Sequence, residues 1–290
     1  MATENLPDHV DLLQSQLERL LGGPVQPAPR GRDALVRALH AGGIAYGGHV
    51  CVTTTTGSAC VSPCVRWALG RWRWGRRIED STRAVVVIHE WGLPHPELSA
   101  IARACTRHGW LLIEDCAHAF GTALWSGAVG RHGDYAIYSL PKFLSLGQGG
   151  LLRVPAREVS VTIPSAWSMA LTRAVSGRRE DGDRRRCVWR ELSLAAASTG
   201  IVPLSALPED AVPWMFPLRH RSIHHLAKQL VARGVAAEAC VHVGATLIPC
   251  GGHSPSCEEL CTLLHESCDA SATLAPYRRM EQEGAWYSGR

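Results

Sequence analysis

Residues 113–121 read IEDCAHAFG, and residues 138–150 read YSLPKFLSLGQGG. The first stretch ends an apolar run on Asp115. The second places Lys142 in a glycine-rich turn, in a chain whose 30 Lys and Arg residues include only two lysines, Lys142 and Lys228. A carboxylate at the C-terminal end of a buried strand stands where ligands bind open α/β sheets. It also suits a helix cap or a turn, and a lysine in a turn also suits the solvent. Taken together, the two are the protein groups that a pyridoxal phosphate cofactor needs. The carboxylate keeps the pyridine nitrogen protonated, so the ring can accept electrons. The lysine holds the cofactor aldehyde as an imine and can move protons as a general base.

The elements that must position this pair follow from periodicity. Val10, Leu13, Leu17, Leu20 and Leu21 fall at helical spacing and end at Gly22 and Gly23. A second helix is expected over 32–41. Residues 49–56, HVCVTTTT, read as a strand, and 62–72 as a helix with Ser62 as its cap and Pro63 at its first position. AVVVI at 84–88 and WLLIED at 110–115 are the continuous apolar runs of buried parallel strands. A helix over 96–109 separates them. DYAIYS at 134–139 and GLLRV at 150–154 complete an alternation of strand and helix, which means an α/β domain with a mostly parallel sheet. The pattern weakens beyond Pro155. A large domain is therefore expected over 1–155 and a smaller α+β domain over 156–290. The charge run SGRREDGDRRR at 176–186 reads as a mobile loop. VPWMFPL at 212–218 then leads into a helix over 222–234.

Composition narrows the function classes. With 46% hydrophobic and 19% charged residues and a formal charge of +4, the 290-residue chain reads as an ordinary globular protein. It offers no special case for nucleic acid or an anionic membrane. The N-terminus lacks a basic region followed by an apolar core, and no apolar run is long enough to span a bilayer. The 11 cysteines are expected to be reduced and the protein cytoplasmic. Two other motifs have weaker readings. Cys250, His253, Cys257 and Cys261 are soft ligands at a spacing that fits no standard zinc pattern, so no metal is expected. RWRWGRR at 71–77 could stack on bases, but a helix end or a subunit contact is the expected role.

The motifs resemble those of the DegT/DnrJ/StrS family of sugar aminotransferases. HEWG at 89–92, IEDCAHAFG and the lysine turn with Gly149 and Gly150 seven and eight residues after Lys142 carry the resemblance. RGRDALVRALHAGG at 30–43 is similar to the family's phosphate-binding helix start. Residues 212–235 resemble the opening of its small domain. The resemblance implies a fold-type-I architecture: an α/β domain with a mostly parallel sheet flanked by helices, and a small α+β C-terminal domain. It implies pyridoxal 5'-phosphate as cofactor, with Lys142 as its covalent anchor and Asp115 as the ring-nitrogen partner. Ala117 would lie under the ring, and His118 would bond the phenolic oxygen. Ser139, Gly31 and Arg32 would hold the phosphate.

The activity implied is transfer of an amino group from an amino-acid donor to a keto or aldehyde acceptor by a homodimer, in natural-product or amino-sugar biosynthesis. Another reaction of the same cofactor (elimination, decarboxylation or cyclisation) and a non-catalytic scaffold stay open. The sequence also departs from the family. Ile137 stands where many members have Ser, and Arg32 where Thr is usual. The chain is shorter than usual after residue 155, and residues 155–212 lack the Asn/Arg loop that reaches a neighbouring subunit. Arg219 and Arg221 are the arginines expected near the cleft instead.

Overall fold

Seven strands build the main sheet of the computed structural model, which describes residues 6–55, 63–199, 204–219, 223–241, 244–251 and 256–267. They are β1 (Val25–Ala28), β2 (His49–Thr54), β3 (Arg73–Gly75), β4 (Thr82–Ile88), β5 (Leu111–Asp115), β6 (Tyr135–Ser139) and β7 (Gly150–Arg153). Their spatial order is β1-β7-β6-β5-β4-β2-β3. The five strands from β3 to β6 run parallel, while β7 and β1 are antiparallel additions at one edge. The sheet is mostly parallel, as expected.

Both of its faces are buried, which explains the unbroken apolar runs. Side chains alternate between faces along a strand. Val50, Val52, Ala84, Val86, Ile88 and Ile113 pack in one cluster with Ala34, Leu35, Ala38 and Leu39 of α2 (Gly31–Ala41). Cys51, Val85, Val87 and Leu112 pack in another with Leu98, Ile101 and Cys105 of α4 (Leu98–His108). Helix α1 (Leu6–Leu21) buries Val10, Leu13, Leu17 and Leu21 beside α5 (Phe120–Trp125) and α6 (Ser165–Ser176).

A three-stranded antiparallel sheet follows, in the order β8-β10-β9, from β8 (Met215–Arg219), β9 (Glu238–Cys240) and β10 (Ala245–Pro249). Phe216, Leu218 and Ile248 pack there with α8 (Ile223–Ala232), α9 (Cys257–Ser267) and the second half of α7 (Arg178–Ser198).

Two expected elements come out differently. The 62–72 helix is shorter: α3 covers Pro63–Ala68, Ser62 lies outside the described residues, and the chain then turns at Gly70. Arg73–Gly75 pairs with His49–Cys51 as an edge strand, so the Trp/Arg stretch is a sheet edge rather than a helix end. The charge run at 176–186 is not a loop: Ser176 ends α6, and from Arg178 on the run forms the start of the 21-residue helix α7. Two of its arginines, Arg185 and Arg186, are buried in the fold. The Arg186 guanidinium donates to the carbonyls of Ala211 at 2.6 Å and Pro208 at 2.9 Å, and stacks 5.0 Å over Trp125. Gly182 lets α7 approach that same indole, since a Cβ there would sit 2.8 Å from Trp125 Cδ1. A helix that buries arginines on carbonyls and aromatic faces has no clean apolar stripe.

One hydroxyl ties the main-sheet region to the segment entering β8. Thr122 Oγ1 donates to the Gly92 carbonyl at 2.6 Å and accepts the Val212 N–H at 2.9 Å, fully buried. Thr122→Val keeps the shape and strands that N–H. It should lower the unfolding free energy by about 1–3 kcal/mol, while Thr122→Ser stays near wild type. Urea denaturation measures both. A Val variant as stable as wild type removes the latch role.

Candidate active site

β4, β5 and β6 are parallel, so their C-terminal ends open on one edge. Ile88 pairs with Asp115, and Asp115 with Ile137. The turn after β4 (His89–Gly92), the turn after β5 (Cys116–Ala119) and the lysine turn after β6 therefore converge at that edge. The lysine turn itself is a short 3-10 helix, Leu140–Lys142.

Asp115 is 3% exposed and is oriented by the Ala117 N–H, which donates to Oδ1 at 3.0 Å. Burial raises its carboxyl above the usual range, while the Ala117 N–H and the Lys142 charge pull it back. Lys142 is half-buried. Desolvation lowers its ammonium below the usual lysine range, and the Asp115 charge opposes that shift. Its Nζ lies 4.9 Å over the Trp214 ring. Burial thus favours the neutral amine, which is the nucleophilic form.

His118 stacks on the same indole, with ring centroids 4.3 Å apart. Its Nδ1 accepts the Trp91 N–H at 3.4 Å. Burial, then the Lys142 charge, hold it well below the ordinary histidine range. Gly31 begins α2 beside Ser139, and a Cβ on Gly31 would sit 3.3 Å from Ser139 Cβ. Arg30 bridges to Gly149, so the helix start and the glycine pair of the lysine turn are neighbours. The Arg32 guanidinium lies 4.8 Å over Trp67, and its Nε is buried without a hydrogen-bond partner among the described residues. Arg219 ends β8 opposite Ala245, and Arg221 lies outside the described residues. Of the cysteine group, Cys250 is buried and pushed up to about 12, and Cys261 sits 3.3 Å from the Ser198 hydroxyl. His253 lies outside the described residues.

Several residues that periodicity did not single out shape this edge. Trp214 lies against both His118 and Lys142. Trp91 is held at φ 55, a left-handed conformation that is costly for a bulky residue. Its N–H meets His118 and its carbonyl accepts the Trp214 N–H at 2.7 Å. Gly92 follows at φ 93, where a Cβ would meet the Val212 carbonyl at 2.4 Å. The spacing of HEWG marked this turn, but the strain shows only in the backbone.

Glu114 is the bracket beneath it. One oxygen accepts the N–H groups of His132 at 2.7 Å and Gly133 at 2.8 Å; the other accepts the Gly130 N–H at 2.7 Å and His89 Nε2 at 3.1 Å. His89 Nδ1 accepts the His95 N–H, so its proton sits on Nε2. Cys116 brings a third ligand-type atom within 4.8 Å of this pair, but Glu114 is already fully engaged and burial pushes the thiol up. Burial alone would raise the Glu114 carboxyl; His89 and the N–H donors outweigh it and lower it from 4.5 to about 2.

A carboxyl depressed in the folded state stabilises fully above its unfolded value and loses that contribution as pH falls. Stability should therefore drop by about 3 kcal/mol between roughly pH 4.5 and pH 2 through this group alone. Glu114→Gln should start less stable at pH 7 and lose less over that window. Denaturant midpoints against pH read the difference. Parallel profiles for the two proteins would contradict the assignment.

Comparison with known proteins places this geometry. Residues 73–166 match the DegT/DnrJ/EryC1/StrS aminotransferase family. This segment of the chain is similar to that family. It is 34% identical over 170 residues to a putative L-glutamine:3-amino-2,3-dideoxy-scyllo-inosose aminotransferase of Micromonospora echinospora, a match covering 53% of this chain and 38% of the relative. It is 31% identical over 124 residues to GDP-perosamine synthase of Vibrio cholerae, covering 42% and 33%. The chain thus matches less than half the length of these relatives. Among solved structures, it resembles the aminotransferase TlmJ from Streptoalloteichus hindustanus, with a TM-score of 0.69 at 19% identity over 89% of both chains. It also resembles NtdA from Bacillus subtilis, solved with bound PMP, with a TM-score of 0.71 at 15% identity over 91% and 80%. The chain therefore has the fold-type-I aminotransferase fold.

Proposed function

We propose that this chain is a member of the DegT/DnrJ/EryC1/StrS family and a pyridoxal-phosphate-dependent aminotransferase that takes an amino group from an amino-acid donor and passes it to a keto or aldehyde acceptor in natural-product or amino-sugar biosynthesis. One observation carries the reading: the half-buried Lys142 and the buried Asp115 share one sheet edge and feel each other's charge. The surroundings fit the cofactor. Asp115 offers a carboxylate to a ring nitrogen, and Lys142 an amine to an aldehyde. The uncapped start of α2, with the orphaned Nε of Arg32, offers donors to a phosphate. Bound there, the cofactor supplies an electron-accepting ring that stabilises negative charge on the substrate carbon.

The chain's own residues have the remaining roles. The Ala117 N–H holds Asp115 in place, so the carboxylate meets the ring nitrogen without reorganising. Lys142, its charge disfavoured by burial, holds the cofactor and moves a proton at the reacting carbon. His118 and Trp214 shield the site from water. Gly31 and Ser139 keep the phosphate end close to the lysine turn. The amine donor and carbonyl acceptor are small molecules. A cytoplasmic homodimer, with neither nucleic acid nor membrane as partner, suits the reading. Among the described residues no helix is long and apolar enough to cross a membrane.

The test is turnover. Purified protein with pyridoxal phosphate and glutamine, the donor in the name of the inosose relative, should convert a sugar or cyclitol ketone to its amine, read by mass spectrometry. Tight cofactor binding with no turnover across amino donors and carbonyl acceptors would sink the catalytic reading in favour of a scaffold.

A further inference from the structure

An open cavity of about 680 Å³ lies between α6, α7 and the lysine turn. Lys142 lines it, and so does Arg185 of α7. Arg185 is 7% exposed and fixed on three sides. Its Nε donates to the Asp181 carboxylate at 2.6 Å. The Phe143 ring, next in sequence to Lys142, lies 5.2 Å from its guanidinium carbon. Gly251 lies against its other side: a Cβ there would come within 2.5 Å of both terminal nitrogens. Those two nitrogens have no hydrogen-bond partner among the described residues. Among the described residues, the guanidinium is held at its stem and open at its tip. Four arginines and Lys142 line the cavity against two carboxylates, Glu180 and Asp181. Asp181 is already shared by Arg184 and Arg185.

We propose that Arg185 anchors an oxyanion of the substrate that Lys142 serves, either the carboxylate of the amino donor or a phosphate of the acceptor. A guanidinium fork matches two oxygens of either group, and its preset orientation removes part of the ordering cost. Gly251 has a reason in this arrangement, because any side chain there would displace the fork. Asp181 is a positioning residue that acts through Nε. The substrate identity rests on the proposed aminotransferase function; the oxyanion site itself does not.

Calorimetric titration of the full chain, with pyridoxal phosphate present, tests it with two probes. Glutarate stands for the donor carboxylate and pyrophosphate for the acceptor phosphate. Arg185→Gln should weaken one probe about tenfold or more, the loss of a charged bidentate contact. Arg185→Lys keeps the charge without the fork and should recover only part. Asp181→Asn should lose less than Arg185→Gln. Loss of glutarate assigns the donor, and loss of pyrophosphate assigns the acceptor. If wild type binds neither probe, or Arg185→Gln leaves both affinities unchanged, the proposal is overturned. If Arg185→Gln does not fold, Arg185→Lys carries the same test, and unchanged affinities overturn it equally. Borohydride trapping on Lys142 separates the two claims. Arg185-dependent binding without trapping removes the aminotransferase reading and leaves the anion site. Trapping without Arg185-dependent binding removes the anion site alone.

Discussion

Lys142→Ala abolishes covalent attachment of pyridoxal phosphate, and Lys228→Ala leaves it intact. This is the largest effect expected of any single substitution, because only an amine can form the bond and the chain has one other lysine. Lys142 sits in the lysine turn beside Asp115, whereas Lys228 lies on α8. Borohydride reduction followed by peptide mass spectrometry reads the site directly. Burial lowers the Lys142 ammonium, so attachment should rise with pH and level off below the 10.5 of a free lysine. Cofactor trapped on Lys228, or on neither lysine, would falsify the central assignment.

Asp115→Asn retains the attachment and cripples the chemistry. The amide keeps the shape and can still accept from the Ala117 N–H, but a neutral group cannot hold a proton on the ring nitrogen by ion pairing. A loss in amino transfer of about a thousandfold or more is expected, equivalent to about 4 kcal/mol of barrier. Trapping on Lys142 should persist. Single-turnover rates with a fixed donor separate this from a folding defect. Near wild-type rates in the Asn variant would mean that Asp115 is only the turn residue its position also allows.

Much of the α/β frame was legible because its signals are local. AVVVI and WLLIED declare doubly buried strands through continuous apolarity, and α1 and α2 declare themselves through helical spacing. The lysine turn stood out through the scarcity of lysine and the spacing to Gly149 and Gly150. Other features were hidden for equally physical reasons. The α7 charge run looks solvated because periodicity counts apolar residues, and α7 buries Arg185 and Arg186 through their stems and hydrogen bonds. Nothing in WRWG distinguishes an edge strand from a helix end until β2 is there to pair with it.

The sequence by itself determined the chemistry available and its order along the chain. A carboxylate ends one strand, and a lysine follows the next at a spacing that brings both to the same sheet edge. These are consequences of covalent connectivity and strand period, so one chain suffices to read them. Only the tertiary structure decided how that chemistry is tuned. The desolvation that lowers Lys142 and raises Asp115 comes from packing around the sheet edge, with Trp214 arriving over Lys142 from a distant part of the chain. The guanidinium of Arg185 is fixed by Asp181, Phe143 and Gly251, of which only Asp181 is near in sequence. Desolvation and hydrogen-bond satisfaction depend on everything within a few ångströms in space, and the sequence orders only what is near along the backbone.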